Sequence, residues 1–271
     1  MRLQPVAPGT VPSLADADAR LPEPLPRKPA LQAELDRLTE RMDSLQRALY
    51  AESSRALLVV LQGRDASGKD GTIRKVFGPL DQLGVTTTGF KAPSPLELSH
   101  DYLWRVHQAM PARGMIGVFN RSHYEDVLVV RVRRLVPEAV WRPRYEQINL
   151  FERILVENGT VILKFMLHIS REEQRERLLE RLEDPEKYWK FNAEDLQERA
   201  RWNEYTAAYR EMLERTSTPT APWYVVPADE KRVRDVLVAG VVTERLERMN
   251  PKYPGPPDEL DELRKALEAD R

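Results

Sequence analysis

The chain has 271 residues, 41% of them hydrophobic and 31% charged, with a net charge of −1 and no cysteine. That length supports one large α/β domain with short appendages. The charge balance excludes a global basic field for polyanions, and the missing cysteines exclude disulfides and thiolate metal sites. No apolar run approaches the ~20 residues needed to span a bilayer, and no charged-then-apolar leader pattern is present, so a cytoplasmic protein without membrane or nucleic-acid partners is expected.

Residues 1–29 are rich in proline and poor in large apolar groups, and read as an extended arm lying on the domain or loose in solvent. Leu31, Leu35, Leu38, Met42, Leu45 and Leu49 follow at helical spacing, for packing on a sheet or as an oligomer seam. The main domain is expected over 30–253, with 254–271 as a tail. An apolar strand, Ala56–Leu61, runs into Gly63-Arg64-Asp65-Ala66-Ser67-Gly68-Lys69-Asp70-Gly71-Thr72. Strand before, helix after and the G-x-x-x-x-G-K spacing identify a phosphate-binding loop. Its glycines let backbone N–H groups converge on an anion, the helix start adds partial positive charge, and Lys69 adds a full one. Position 70 is Asp where nucleoside triphosphatases place a magnesium-binding hydroxyl.

Further elements alternate: a helix over Thr72–Leu80, a strand over Val85–Phe90, helical period over Leu96–Met110, and a strand over Met115–Phe119. Then come a helix over Arg144–Glu157, a strand over Thr160–Ile169, and a helix over Arg171–Glu183 started by a Ser170/Glu173 capping box. A helix over Ala193–Arg215, a strand over Trp223–Val226 and a helix over Lys231–Met249 complete the series. Such alternation predicts a parallel sheet covered on both faces.

The second informative stretch is Asn120-Arg121-Ser122-His123-Tyr124-Glu125-Asp126-Val127, a polar burst where a strand ends. Glu125 and Asp126 are candidate metal carboxylates, Arg121 suits a phosphate, and Asn120 suits a hydrogen bond to substrate. Plainer roles compete: Asp65 as a loop cap, Asp126 as a partner of Arg121, Glu125 in a structural ion pair. His123 needs no catalytic role, because an ionised phosphate acceptor requires no base; His100, His107 and His168 read as packing residues. Tyr124 and Trp189 are candidates either to stack a nucleobase or to pack. Arg64, Lys69, Arg74, Lys75 and Lys91 flank the loop, and Arg131, Arg133 and Arg134 follow the burst, as a cleft for phosphate groups requires. Arg171, Arg175, Arg177 and Arg181 alternate with glutamates, as they also would on a merely solvated helix.

Together the loop at 63–72 and the motif at 120–127 resemble the polyphosphate kinase 2 family, most closely its class III branch, over about Ala56 to Tyr253. Pro185-Glu186-Lys187-Tyr188-Trp189-Lys190-Phe191 is similar to that family's lid. The resemblance implies a three-layer α/β/α P-loop kinase fold like thymidylate kinase, with a helical lid near 171–192. It implies phosphoryl transfer from inorganic polyphosphate to AMP or ADP, giving ADP or ATP, with Mg2+ (or Mn2+) as cofactor and a homo-oligomer as the assembly. It also implies Asp65 and Asp126 as the metal-centred pair beside Glu125, with Lys69, Arg121 and Arg177 as phosphate clamps. Asp or Gly commonly follows the loop lysine there, which accounts for Asp70, whereas Asn120 replaces an Asp of other branches. Two alternatives stand: an ATP-dependent nucleoside monophosphate-type kinase, which Asp70 disfavours, and a non-catalytic anion-binding module, which the carboxylates disfavour.

Overall fold

The computed structural model describes residues 2–270. Helix α1 (Lys28–Glu52) leads into β1 (Ala56–Gly63), whose eight residues are all buried. A short α2 (Lys69–Thr72) passes into a π-helical turn (Ile73–Phe77), so the helix after the loop begins earlier than its apolar pattern suggests. β2 (Val85–Gly89), two short helices α3 (Pro95–Leu98) and α4 (Trp104–Gln108), and β3 (Ile116–Asn120) follow. The single helix expected over Leu96–Met110 is split because Asp101 accepts the Leu103 N–H at 2.9 Å and starts a new turn.

Beyond β3 lie a 3₁₀ turn (His123–Asp126), α5 (Val129–Val132), α6 (Glu138–Trp141), α7 (Arg144–Glu157), β4 (Thr160–His168) and α8 (Arg171–Glu183). A second 3₁₀ turn (Tyr188–Lys190) leads to α9 (Glu194–Ala200) and α10 (Trp202–Thr216), then β5 (Trp223–Pro227), α11 (Lys231–Met249) and α12 (Leu260–Ala269). The helix expected over Ala193–Arg215 is broken at Arg201, whose guanidinium donates to Val132 O at 2.6 Å.

The five strands pair in parallel in the order β2-β3-β1-β4-β5. Parallel neighbours require crossovers, and the helices divide between the two faces. Alternation along β1 sorts the core: Leu57, Val59 and Leu61 pack with α1 and α11, while Leu58 and Val60 pack with α7 and α10. Leu31 to Leu49 on α1 therefore belong to the core, and α1 makes its main contact with α11. β1 is central, so the loops after β1 and after its neighbour β3 meet at the carboxyl ends of the strands, where open sheets bind ligands.

The arm is docked rather than loose. Val6 N donates to Trp223 O at 2.8 Å, and Asp229 N donates to Ala19 O at 3.1 Å. His168 Nε2 lies 2.8 Å from Ala15 O. The Ser170 capping box is only half formed. Ser170 Oγ accepts from Glu173 N at 3.2 Å, but the Ser170 N–H goes to Asp229 Oδ1 at 2.9 Å. Glu173 instead accepts from Arg177 Nε at 2.8 Å. Among the described residues no helix is long and apolar enough to cross a membrane.

Met42→Ala tests the packing of α1, since Met42 is completely buried against the sheet-side core. The variant should lose about 2–5 kcal/mol of unfolding free energy in denaturant titration. A loss below about 1 kcal/mol would contradict a close-packed α1.

Candidate active site

The loop at 63–70 owes its shape to three residues with a positive φ, two of them glycines. Gly63 and Gly68 have φ of 151° and 102°, and Ala66 has φ of 64°. A Cβ on Gly68 would lie 1.8 Å from Arg234 Nη1, so glycine is required there for space as well as for φ. The loop carbonyls are held from behind. Arg177 Nη1 donates to Ala66 O at 3.0 Å and Ser67 O at 3.3 Å, and its Nη2 donates to Ala228 O and Asp229 O, each at 2.7 Å. Arg234 Nη1 also donates to Ser67 O at 3.3 Å, while Asp235 accepts from the Arg234 fork and from Thr72 Oγ1 at 3.1 Å. With these carbonyls occupied, the amides of Asp65, Ala66, Gly68, Lys69 and Asp70 have no protein acceptor among the described residues. Converging free amides at a helix start form an anion nest.

Lys69 Nζ folds onto Gly63 O at 2.7 Å and Arg64 O at 3.1 Å. Burial, aided by the nearby Arg121 charge, pulls its pKa down to about 8. Across the cavity, Arg121 pairs with Asp65 and, at 3.5 Å, with Glu125. Glu125 and then Asp65 hold Arg121 firmly protonated. Burial opposes ionisation of Asp65, but Arg121 and Lys69 keep its pKa below the ordinary carboxylate value. The cavity is lined by Asp65, Arg121 and Glu125 together with Gly63, Arg64, Gln174, Glu198, Arg199 and the α10 aromatics.

Several expected residues stand elsewhere. Asp126 turns away from Asp65: it accepts from Arg144 Nη1 at 2.8 Å, and burial raises its pKa to about 6. The carboxylates that share the cavity with Asp65 are Glu125 and Glu198. Arg177 has all its N–H groups committed to Glu173 and to four carbonyls, so it is a fastener of the loop and has no donor left for substrate. On the same helix, Arg181 is the arginine whose charge reaches Asp65; it donates to Asp195 Oδ2 at 3.1 Å. Arg64 stays at the cavity, where it lies 3.8 Å above the Trp202 ring and donates to Thr206 Oγ1 at 2.6 Å.

Tyr124 is fully enclosed, so it cannot stack a base; its hydroxyl donates to Glu152 Oε1 at 2.7 Å. Arg131 is tied to Glu211 at 2.6 Å. Lys75, Lys91 and Arg134 stand exposed on the surface. Asn120 Nδ2 donates to Asp70 Oδ1 at 2.6 Å, so the two departures from ordinary P-loop chemistry are hydrogen-bonded to each other.

Sequence reasoning passed over Gln62, Glu198, Arg234 and the aromatic side chains of α10. Glu198 accepts from Arg133 at 2.7 Å, and burial beside Asp65 raises its pKa. It sits in an ordinary charged helix and carries no local signal. Gln62, the one polar residue of an apolar strand, did offer one.

Magnesium is usually held by one or two carboxylates together with phosphate oxygens and water. Asp65 and Glu125, hard oxygen donors on one cavity wall, fit that demand. Among the described residues no three carboxylate or imidazole groups converge, so a closed all-protein metal cage is not what this chain builds.

A sequence model described as polyphosphate kinase 2 matches residues 27–254. The chain is 52% identical over 230 residues to the AMP/ADP-polyphosphate phosphotransferase of Meiothermus ruber, covering 85% of this chain and 86% of that protein. It is 46% identical over 227 residues to the ADP-polyphosphate phosphotransferase of Rhodopseudomonas palustris, covering 79% and 78%. The crystal structure of polyphosphate kinase 2 from Arthrobacter aurescens superposes with a TM-score of 0.91 at 39% identity, covering 100% of this chain and 99% of that one. With the loop, the parallel sheet and the second motif in these positions, the chain belongs to the polyphosphate kinase 2 family.

Proposed function

We propose that the protein transfers the terminal phosphoryl group of inorganic polyphosphate to AMP or ADP. One observation carries this reading: Asp65, Arg121 and Glu125 line one cavity, and their charges act on Lys69 in the adjoining loop of free amides. The names of the similar proteins from Meiothermus and Rhodopseudomonas supply the donor and acceptor classes. An oxygen of the acceptor's terminal phosphate attacks the terminal phosphorus of the donor in line. The bond from that phosphorus to the bridging oxygen breaks, and the shortened polyphosphate leaves as an anion. The attacking oxygen is already ionised, so no base is needed, which accords with His123 being locked in the core at 3.3 Å from Glu152.

Loop amides and Lys69 grip the moving group, and Arg121 offsets its charge, both effects that operate strongly in a cavity closed to water. Asp65 and Glu125 would hold a magnesium ion, with manganese as the alternative, whose charge would offset that developing on the phosphates. Helices α8 and α9 form the lid over the site in this reading, and Arg181 is the lid's cation. An ATP-only donor is disfavoured by Asp70, a carboxylate tied to Asn120 where ATP-using relatives of the fold place a hydroxyl.

Incubation with magnesium, polyphosphate and AMP or ADP should yield ADP or ATP with no nucleoside triphosphate added; no product with either acceptor would refute the proposal. Arg181→Ala should lower turnover about a hundredfold with its thermal midpoint within about 2 °C of wild type, as loss of a transition-state cation does. Arg177→Ala should lower the thermal midpoint as well, because four backbone carbonyls lose a donor and only Ser67 O keeps another, from Arg234. The reverse pattern would restore Arg177 as the clamp. In the free enzyme, polyphosphate affinity should weaken as pH rises past about 8 and Lys69 sheds its proton. Lys69→Met should bind more weakly and flatten that slope in a fluorescence titration; an unchanged slope would exclude Lys69 as the titrating group.

A further inference from the structure

β1 carries seven residues without a polar side chain and one, Gln62, that is polar and fully buried. Gln62 sits immediately before the phosphate loop and faces the motif that follows β3. One orientation of its amide gives a single contact, Nε2 to Ser122 Oγ at 3.1 Å, and turns the amide oxygen toward acceptors only. The opposite orientation satisfies both ends. Nε2 then donates to Glu125 Oε1 at 3.0 Å, while the oxygen accepts from Ser122 Oγ and Ser122 N, each at 3.1 Å. Buried donors and acceptors are paired in native proteins, so electrostatics selects this second arrangement.

We infer that Gln62 is a positioning residue, aiming the Glu125 carboxylate into the cavity and fixing the turn that carries it. The inference rests on the reading of Glu125 as a metal-holding carboxylate. Glu125 has two anchors. Arg121 is a charge shared with Asp65 and free to move toward a phosphate. The Gln62 amide hangs from the central strand and is independent of substrate. When Arg121 turns to the transferred group, Gln62 keeps the carboxylate in place. The same amide holds Ser122, whose Oγ accepts from Tyr124 N at 3.2 Å and starts the 3₁₀ turn. A neutral amide is the required chemistry here: a carboxylate would repel Glu125, and an apolar group would leave the Ser122 and Glu125 polar atoms unpaired.

Four variants test this: Gln62→Met, Gln62→Glu, Glu125→Gln and the exchange of Gln62→Glu with Glu125→Gln. In metal-free protein, Gln62→Glu should lower the thermal midpoint. The exchanged pair should recover at least half of that loss, since amide and carboxylate have only traded places. In magnesium titrations, Gln62→Met should lower kcat at least tenfold and raise half-saturating magnesium at least fivefold. Its KM for polyphosphate should stay within twofold. Additive midpoint changes across the four proteins would overturn the contact, as would a Gln62→Met enzyme whose kcat and magnesium dependence both match wild type. Wild-type turnover in Glu125→Gln would overturn the functional reading of Glu125, and with it the positioning role, while the metal-free midpoints would still report whether the contact exists.

Discussion

The site depends on a constraint imposed from behind: two buried guanidinium groups fix which way the phosphate loop's peptide units point. Arg177 and Arg234 draw the carbonyls of Ala66 and Ser67 away from the cavity, and each peptide plane is rigid, so fixing a carbonyl restrains the amide of the residue that follows. Arginine suits this task because its planar fork engages several carbonyls without deprotonating. One fork comes from α8 and the other from α11, so the loop is clasped between helices that begin after β4 and β5. Anion binding is thereby prepared before any anion arrives, and little loop entropy is left to lose on binding.

A second polar cluster supports the opposite wall. Lys164 lies on β4 in the core and donates to Glu152 Oε2 at 2.6 Å, to the Tyr124 hydroxyl at 2.8 Å and to Thr216 O at 2.7 Å. Three N–H donors meet three acceptors, so the ammonium is fully satisfied despite burial, the condition under which a buried charge is tolerable. Tyr124 and His123 both lean on Glu152, which pins the inner face of the turn whose outer face presents Glu125. Two independent anchors, Gln62 and this cluster, hold one short turn whose own 3₁₀ hydrogen bonds would be weak.

The order and type of the strands and long helices are legible in the chain because each buries a continuous or periodic apolar face. Helices Arg144–Glu157, Arg171–Glu183 and Lys231–Met249 have the ends that their patterns indicate. Four-residue elements such as Val129–Val132 and Glu138–Trp141 complete barely one turn, too little for any periodicity to register. In the site, backbone-determined positions are readable: the glycines, Lys69 and Arg121 stand where spacing puts them. The orientations of arginines on a charged helix are not. Arg177 and Arg181 are four residues apart and chemically identical, yet one fastens the loop's back and the other pairs with Asp195 on α9. Likewise, adjacent Glu125 and Asp126 diverge because a 3₁₀ turn rotates successive side chains about 120° apart.

The docked arm has an effect unrelated to phosphate chemistry. β5 pairs on one side only, with β4, so its other margin carries main-chain groups able to recruit a foreign strand. The Val6 amide occupies Trp223 O on that margin, and the Ser217 hydroxyl fastens Val6 O at 2.6 Å. Proline, which has no amide hydrogen to offer, recurs along the covering segment and leaves its outward side a poor template for further strand addition. The arm thus serves as an intramolecular cover against self-association through the sheet, a duty met by composition and placement rather than by any catalytic group.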